Sequence, residues 1–181
     1  METFTKAKEF VIDPDFPERR NKALKELEEE LEKGNIDPPV VELLLGYNSL
    51  PYCFTLQSCY GHFVYGELTD TNIDPLPSNS PDTSVEYRIT YLTICLQDNP
   101  MGHGLYQELN DLTQIDPDYI QLGSAEWFWR RCVNSYVLQI EPERHKYKDK
   151  AVIPMKEALH IEELRNRLFE ELERILKEHQ H

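Results

Sequence analysis

The residues best suited to chemistry are the five consecutive residues Ser58-Cys59-Tyr60-Gly61-His62. They place a hydroxyl, a thiol and an imidazole within one short stretch, and the glycine allows a positive φ or a close approach of the backbone to a ligand. Three interpretations are open. Cys59 is a nucleophile assisted by His62, or the side chains and exposed backbone amides of the stretch form a cradle for a polar or anionic ligand, or the stretch is a hairpin turn with a buried cysteine. The spacing identifies no third residue to orient a base, which places the cradle ahead of the nucleophile.

Cys59 and His62 also have the Cys-x-x-His spacing of half a zinc site. A complete site would need ligands from elsewhere in the chain, and Cys53, Cys132 and His103 are the candidates. The sequence contains no second spaced pair of this kind. We therefore assign no metal from the sequence.

A second group of candidates is basic and aromatic. Arg130-Arg131 and the stretch 144–150 concentrate positive charge in an otherwise acidic chain. These residues could seat a phosphate-bearing ligand, and neighbouring aromatic side chains could stack on bases. A solvated turn beside two core tryptophans is the slightly favoured alternative. The ligand-binding candidates from this group are Trp127, Arg130, Arg144 and His145.

The composition limits the class of protein. The 181 residues include 33 acidic and 19 basic side chains, which gives a formal net charge of −14. Such a charge repels phosphate backbones on average and argues against nonspecific binding to nucleic acid or membrane. No apolar run approaches the ~20 residues that span a bilayer, and the N-terminus lacks a signal-peptide pattern. We therefore expect a cytoplasmic protein with reduced cysteines.

The hydrophobic pattern predicts a single α+β domain, 1–181, with a central mixed or antiparallel sheet flanked by N-terminal and C-terminal helices. Helices are predicted over 16–33, 103–113 and 156–178, with a short buried helix after Asp37-Pro38. Strands are predicted at 51–57, 63–65, 85–96, 119–122 and 133–140. The first two of these strands should form a hairpin around the 58–62 turn. The stretch 66–84 is predicted to be a long surface loop.

Residues 16–64 resemble the N-terminal part of the tRNA wybutosine-synthesizing protein 3 family. The shared features are an initial Phe, a basic helix with spaced leucines, a Gly-x-x-Asp break, a Leu-rich helix ending in Asn, a strand with Tyr and Thr, and a Ser-Cys-x-Gly turn. In this sequence they are Phe16, Arg19-Arg20, Leu24, Leu27, Gly34, Asp37, Leu43-Leu44, Asn48, Tyr52, Thr55 and Ser58-Cys59-Tyr60-Gly61-His62. The last predicted helix, with Asn166 and Arg167, also resembles the closing helix of the family.

The resemblance implies an α+β methyltransferase that uses S-adenosylmethionine to methylate a tricyclic guanosine derivative in phenylalanine tRNA. It implies that Ser58, Cys59 and Gly61 line the active site, so that the turn holds ligand. Ser135 lies near the position where the family has a Ser-Gly motif.

This sequence also departs from the family pattern at the turn. His62 stands where the family has arginine, and Tyr60 and Gln57 stand where it has serine. Histidine does not replace an arginine conservatively where the arginine meets a phosphate or carboxylate with two parallel hydrogen bonds. These differences indicate a divergent relative in which the scaffold is kept and the substrate is altered.

We therefore expect a divergent methyltransferase-like protein of the tRNA-modification type, which binds S-adenosylmethionine or a nucleotide-like ligand at the 58–62 turn. Its partners would be tRNA or a nucleotide-like small molecule. The expected catalytic residues are Ser58, Cys59 and His62. The expected ligand-binding residues are Thr55, Tyr60, Gly61, Trp127, Arg130, Ser135, Arg144 and His145. The alternative is a noncatalytic acidic module that binds a ligand or a protein with the same fold.

Overall fold

The structure is a computed structural model that describes residues 4–66, 73, 75–77, 84–142, 145 and 150–180. The α-helices in these residues are α1 (Phe16–Lys33), α2 (Val41–Ser49), α3 (Pro100–Asp111), α4 (Glu126–Arg131) and α5 (Met155–His179). The strands are β1 (Phe4–Lys6), β2 (Cys53–Cys59), β3 (His62–Val64), β4 (Ser84–Arg88), β5 (Thr90–Leu96), β6 (Ile120–Ala125), β7 (Ser135–Ile140) and β8 (Lys150–Pro154). Short 3₁₀ helices cover Pro38–Val40 and Leu112–Ile115.

The strands form two antiparallel sheets. A five-stranded sheet has the order β1-β6-β7-β5-β2, and a three-stranded sheet has the order β3-β4-β8. Neighbouring strands are antiparallel in both sheets. The predicted α+β class with an antiparallel central sheet and flanking terminal helices is confirmed.

Helices cover both faces of the five-stranded sheet. On one face, Phe16 and Ala23 of α1 pack against Phe54 of β2. On the other face, α2, α3 and α5 contribute to the largest apolar cluster. The buried stripe of α5 consists of Met155, Ala158, Ile161, Leu164, Leu168, Leu172, Ile175 and Leu176. This arrangement leaves β2 at an edge of the sheet, between α1 and α2.

The ends of α1 follow from local sequence signals. Pro17 lies in the first turn, where the missing N–H is not needed by the helix. Gly34 adopts a φ of 69° just after the last helical residue, a conformation that glycine takes without steric cost. Both ends lie where the sequence predicts them.

The predicted hairpin around the 58–62 turn is wrong. β2 pairs with β5 in the large sheet, whereas β3 pairs with β4 in the small sheet. The predicted strand 85–96 is also divided, at Ile89, into β4 and β5 of the two sheets. Val85 and Tyr87 of β4 and Leu92, Ile94 and Leu96 of β5 all belong to the main apolar cluster, so the positions that face this cluster change from odd to even numbers at the break. The chain therefore crosses between the two sheets twice, once in the 58–62 turn and once at Ile89. The two crossings lie next to each other.

Most of the predicted surface loop 66–84 lies outside the described residues. Leu76 within it is not a surface residue, because its side chain is 7% exposed and packs against the main core. Its backbone N–H donates to Glu162 Oε1 of α5 at 2.9 Å. Among the described helices, none has the length and apolar character needed to cross a membrane.

Candidate functional site

The 58–62 turn is shaped by a close contact between the two crossing segments. Gly61 has a φ of 90°, and a β-carbon at this position would lie 2.0 Å from Thr90 Oγ1. The Thr90 hydroxyl donates a hydrogen bond to the carbonyl of Tyr60 at 2.9 Å. Residue 61 must therefore be glycine both for its backbone conformation and for space.

A buried arginine from α5 supports the turn from the core side. Arg165 is 3% exposed, and its Nη1 donates to the carbonyl of Gly61 at 3.0 Å. Its guanidinium also lies 4.0 Å from the centre of the Tyr60 ring, within cation–π range. The carboxylate of Glu162 approaches the same guanidinium at 3.7 Å. Arg165 is not among the site residues predicted from the sequence, although it stands out as a cation inside the apolar stripe of α5.

The turn brings Cys59 and His62 together with Asp37, the residue before the 3₁₀ helix. One Asp37 oxygen, Oδ2, accepts from the backbone N–H of Tyr60 at 2.9 Å and lies 3.2 Å from His62 Nε2. Candidate ligand atoms of Asp37, Cys59 and His62 all lie within 4.8 Å of one another. The sequence signal for Asp37 was the Gly-x-x-Asp pattern of the family resemblance.

The hydrogen bonds in this cluster change its protonation. The bond with Asp37, reinforced by Cys59, raises the pKa of His62 to about 10 although burial opposes this shift. Burial would raise the pKa of Asp37, but the hydrogen bonds from His62 and from the N–H of Tyr60 outweigh burial and hold that pKa below its usual value. At neutral pH without a ligand, the two side chains form an imidazolium–carboxylate pair.

The backbone amides of the turn are already engaged. The N–H of Tyr60 donates to Asp37, and the N–H of Gly61 donates to Cys59 Sγ at 3.4 Å. A cradle of free backbone amides, as the sequence suggested, is therefore not available at these two residues. Ligand contacts at the turn would come from side chains.

The geometry also bears on the nucleophile interpretation. In a nucleophile–base–carboxylate relay, the two ring nitrogens of the histidine serve two different partners. Here Asp37 is bonded to Nε2 of His62, while Nδ1 is buried without a hydrogen-bond partner among the described residues. The three side chains thus converge on one place instead of forming a relay through the ring.

A cleft of about 340 Å³ opens beside the turn, along the free edge of β2 and between α1 and α2. It contains Thr55 and Ser58, two of the predicted site residues. The residues that line it are Ala23, Glu26, Leu27, Glu30, Asn35, Ile36, Leu44, Thr55, Leu56, Gln57 and Ser58. Asn35 and Ile36 directly precede Asp37, so the cleft and the Asp37–Cys59–His62 cluster are neighbours.

Asn48 of α2 fixes the strand that forms one wall of the cleft. Its side-chain amide donates to Thr55 Oγ1 at 2.6 Å, and its Oδ1 accepts from the Thr55 backbone N–H at 3.1 Å. These bonds satisfy polar groups on the edge of β2 that no other strand of the described residues pairs with. The position of Thr55 is therefore set by α2.

The aromatic and basic candidates lie elsewhere. Trp127 and Arg130 are on α4, which follows β6, and β6 is three strand positions from β2, or ~14 Å at the usual strand spacing. Trp127 is 50% exposed, with the guanidinium of Arg131 lying 3.3 Å from its ring centre. Arg130 pairs with Glu126 at 3.0 Å. These residues do not join the 58–62 turn.

The structure also places two further predicted site residues, Ser135 and His145. Ser135 is fully buried in β7, where it pairs with Cys95 of β5. His145 lies in the connection between β7 and β8, and its backbone N–H donates to the carbonyl of Pro142. Arg144 lies outside the described residues.

Comparison with known proteins identifies the fold. No protein-family model and no curated protein sequence matches the chain. The structure of PH1069 protein from Pyrococcus horikoshii superposes with a TM-score of 0.55 at 15% identity, over 90% of this chain and 93% of that chain. A structure of PH1069 protein from Pyrococcus horikoshii OT3 gives a TM-score of 0.51 at 17% identity, over 91% of this chain and 93% of that chain. The chain has the fold of these two structures.

Proposed function

We propose that the cleft and the adjoining 58–62 turn bind S-adenosylmethionine or a related nucleotide-like ligand, and that the protein is a divergent methyltransferase-like protein of the tRNA-modification type. The observation that carries the proposal is the position of the cleft. It opens at Ser58, a residue that the resemblance to the wybutosine-synthesizing family places in the active site.

The size and lining of the cleft fit such a ligand. Sites for small molecules commonly occupy about 300–1,000 Å³ and combine apolar walls with a few polar groups. Leu27, Ile36 and Leu56 supply apolar wall, and Glu26 and Glu30 supply carboxylates. S-adenosylmethionine carries a sulfonium and an ammonium cation and a ribose diol, and carboxylates are suited to all three.

The acidic net charge of the chain limits how it could recognise tRNA. A net charge of −14 gives the chain an average repulsion from phosphate. Under this proposal the recognised feature is a single modified nucleoside, and affinity for bulk tRNA is low and falls with added salt. The expected reaction is methyl transfer to a nucleoside held at the cleft.

Calorimetric titration of the protein with S-adenosylmethionine tests the proposal. The unmodified chain should bind, and Ser58→Leu, which fills the cleft, should weaken binding by at least about tenfold, or about 1.4 kcal/mol. Glu26→Gln should also weaken it by removing a carboxylate from the wall. Glu28→Gln is the matched control, because Glu28 lies on the same helix, is exposed and does not line the cleft.

Two results of this titration would contradict binding in the cleft. A flat titration with the folded, unmodified protein would overturn the proposal and leave the noncatalytic acidic module as the function. Equal losses in Glu26→Gln and Glu28→Gln would show binding outside the cleft. Circular dichroism of each variant establishes that it is folded.

A further inference from the structure

We propose that Asp37, Cys59 and His62 form a binding site for a divalent transition-metal ion, with Zn²⁺ as the best-suited ion. The site would have three protein ligands and an open fourth position. This inference goes beyond the proposed function, because methyl-donor binding in the cleft does not require a metal.

The donor atoms are already close to the spacing that zinc needs. Asp37 Oδ2 and His62 Nε2 are 3.2 Å apart, and the candidate ligand atoms of all three residues lie within 4.8 Å. Zn²⁺ binds oxygen, nitrogen and sulfur at about 2.0–2.3 Å in tetrahedral geometry, which places the donors about 3.3–3.8 Å from one another. On binding, the ion would replace the proton that lies between His62 Nε2 and Asp37 Oδ2, because metal ligands must be deprotonated.

The chemistry of the donor set selects the kind of ion. A thiolate with an imidazole suits borderline and softer metals, whereas Mg²⁺ and Ca²⁺ take oxygen ligands. One carboxylate oxygen completes a mixed set for which Zn²⁺ is the common ion. Three protein ligands are typical of zinc sites that keep a place for water or substrate.

The backbone around the three residues is fixed in place. Asp37 precedes a 3₁₀ helix, Cys59 ends β2 and His62 begins β3. The backbone N–H groups of Tyr60 and Gly61 donate to Asp37 Oδ2 and to Cys59 Sγ, respectively. Such outer contacts orient ligands and stabilise a thiolate.

The three-residue cluster is partly buried. It is open enough for an ion to reach, and its ligands are partly shielded from water. The side chains of His62 and Asp37 are 12% and 23% exposed. An ion can therefore enter, while water competes less for the ligands than it would at the surface. The convergence of the three side chains on one place, with no relay through the imidazole, agrees with this role.

The other cysteines provide internal controls. The candidate ligands named from the sequence to complete a zinc site do not reach this cluster: Cys53 is buried beside Tyr47, and Cys132 lies 3.1 Å from Cys95, sulfur to sulfur. His103 pairs with Asp98. The Cys95–Cys132 pair could bind a metal on its own, so the experiment must distinguish the two places.

The test is a titration of the chelator-treated, full-length protein with Co²⁺, followed by absorbance. A site with Cys59 should give a thiolate-to-cobalt charge-transfer band in the near ultraviolet and intense visible bands of tetrahedral cobalt, which one equivalent of Zn²⁺ abolishes. Cys59→Ser should remove the charge-transfer band. Asp37→Asn and His62→Ala should weaken Co²⁺ binding by at least about tenfold to a hundredfold. Cys132→Ser should leave the spectrum unchanged.

Two results would overturn the metal site. One is the absence of a charge-transfer band in the unmodified protein. The other is a band that survives in Cys59→Ser and disappears in Cys132→Ser. If Cys59→Ser does not fold, alkylation of the unmodified protein decides the question: Zn²⁺ should protect Cys59 from iodoacetamide in a peptide map, and unprotected Cys59 contradicts the site. Methyl-donor titration in the presence of chelator tests the proposed function separately.

Discussion

Gly61 lies directly against the hydroxyl of Thr90, so that a β-carbon on residue 61 would be only 2.0 Å from Thr90 Oγ1. Gly61 stands between β2 and β3, and Thr90 begins β5 just after the break from β4. The contact thus joins the two places where the chain passes between the sheets. The shape of the 58–62 turn is consequently set by the packing of the two sheets.

Gly61→Ala should lower the free energy of unfolding by at least about 2 kcal/mol, because it combines an unfavourable φ with a steric clash. Urea denaturation followed by circular dichroism measures the change. Gly104→Ala is the matched control: Gly104 lies in α3 with open space around its α-carbon. That substitution should stabilise the protein by about 0.5–1 kcal/mol. A similar loss of unfolding free energy in both variants would contradict the conclusion that residue 61 must be glycine.

Arg165→Lys should lower the free energy of unfolding by about 1–3 kcal/mol. Lysine keeps the charge but loses the planar fork that bonds the Gly61 carbonyl while it stacks on the Tyr60 ring. Thermal unfolding reports the difference. Arg167→Lys, on an exposed position of the same helix, should leave the midpoint essentially unchanged. An unchanged midpoint for Arg165→Lys would show that the planar guanidinium of Arg165 contributes nothing to stability that lysine cannot.

Asn48→Ala should destabilise the protein by about 2 kcal/mol, because it leaves the buried N–H of Thr55 without its partner. The same change should raise hydrogen exchange at that amide in β2. Asn21→Ala, on the exposed side of α1, serves as the control and should have little effect. Unaltered exchange at Thr55 in Asn48→Ala would contradict the bridge between α2 and β2.

In the folded protein treated with chelator, Cys59 should be alkylated first among the four cysteines, because the other three are buried. Burial raises the pKa of Cys53 to about 12, so its thiol should stay protonated and unreactive even at pH 9. Iodoacetamide labelling followed by peptide mapping between pH 7 and pH 9 measures both sites. Labelling in urea should modify all four cysteines. Modification of Cys53 as fast as Cys59 in the folded protein would refute this order.

The elements were predictable where local signals define them. Pro17 and Gly34 set the ends of α1, and the leucine spacing of α5 predicted a long amphipathic helix. The pairing of the strands was not predictable in the same way. A turn between two β-prone runs favours a hairpin, and only contacts distant in sequence, such as that of Gly61 with Thr90, send the two strands into different sheets.

The candidate site was predictable only in part. Thiol, imidazole and glycine lie within five residues, so the sequence itself indicated Cys59, Gly61 and His62. Asp37 reaches them from more than twenty residues away, and Arg165 reaches them from the last helix. The Gly-x-x-Asp pattern and the cation in the apolar stripe of α5 single out these two residues, but no local pattern encodes their contact with the turn. That contact depends on how the helices pack against the sheet edge. Trp127 and Arg130 lie on α4, away from the turn, for the same reason.

The backbone contacts of the turn also determine how a substitution at residue 62 would affect the turn. The carbonyls of Tyr60 and Gly61 are held by Thr90 and Arg165, and the N–H of Tyr60 is held by Asp37. None of these contacts requires a particular side chain at residue 62. His62→Arg should therefore leave the course of the turn intact while it removes the imidazole that bonds Asp37 and completes the proposed metal site.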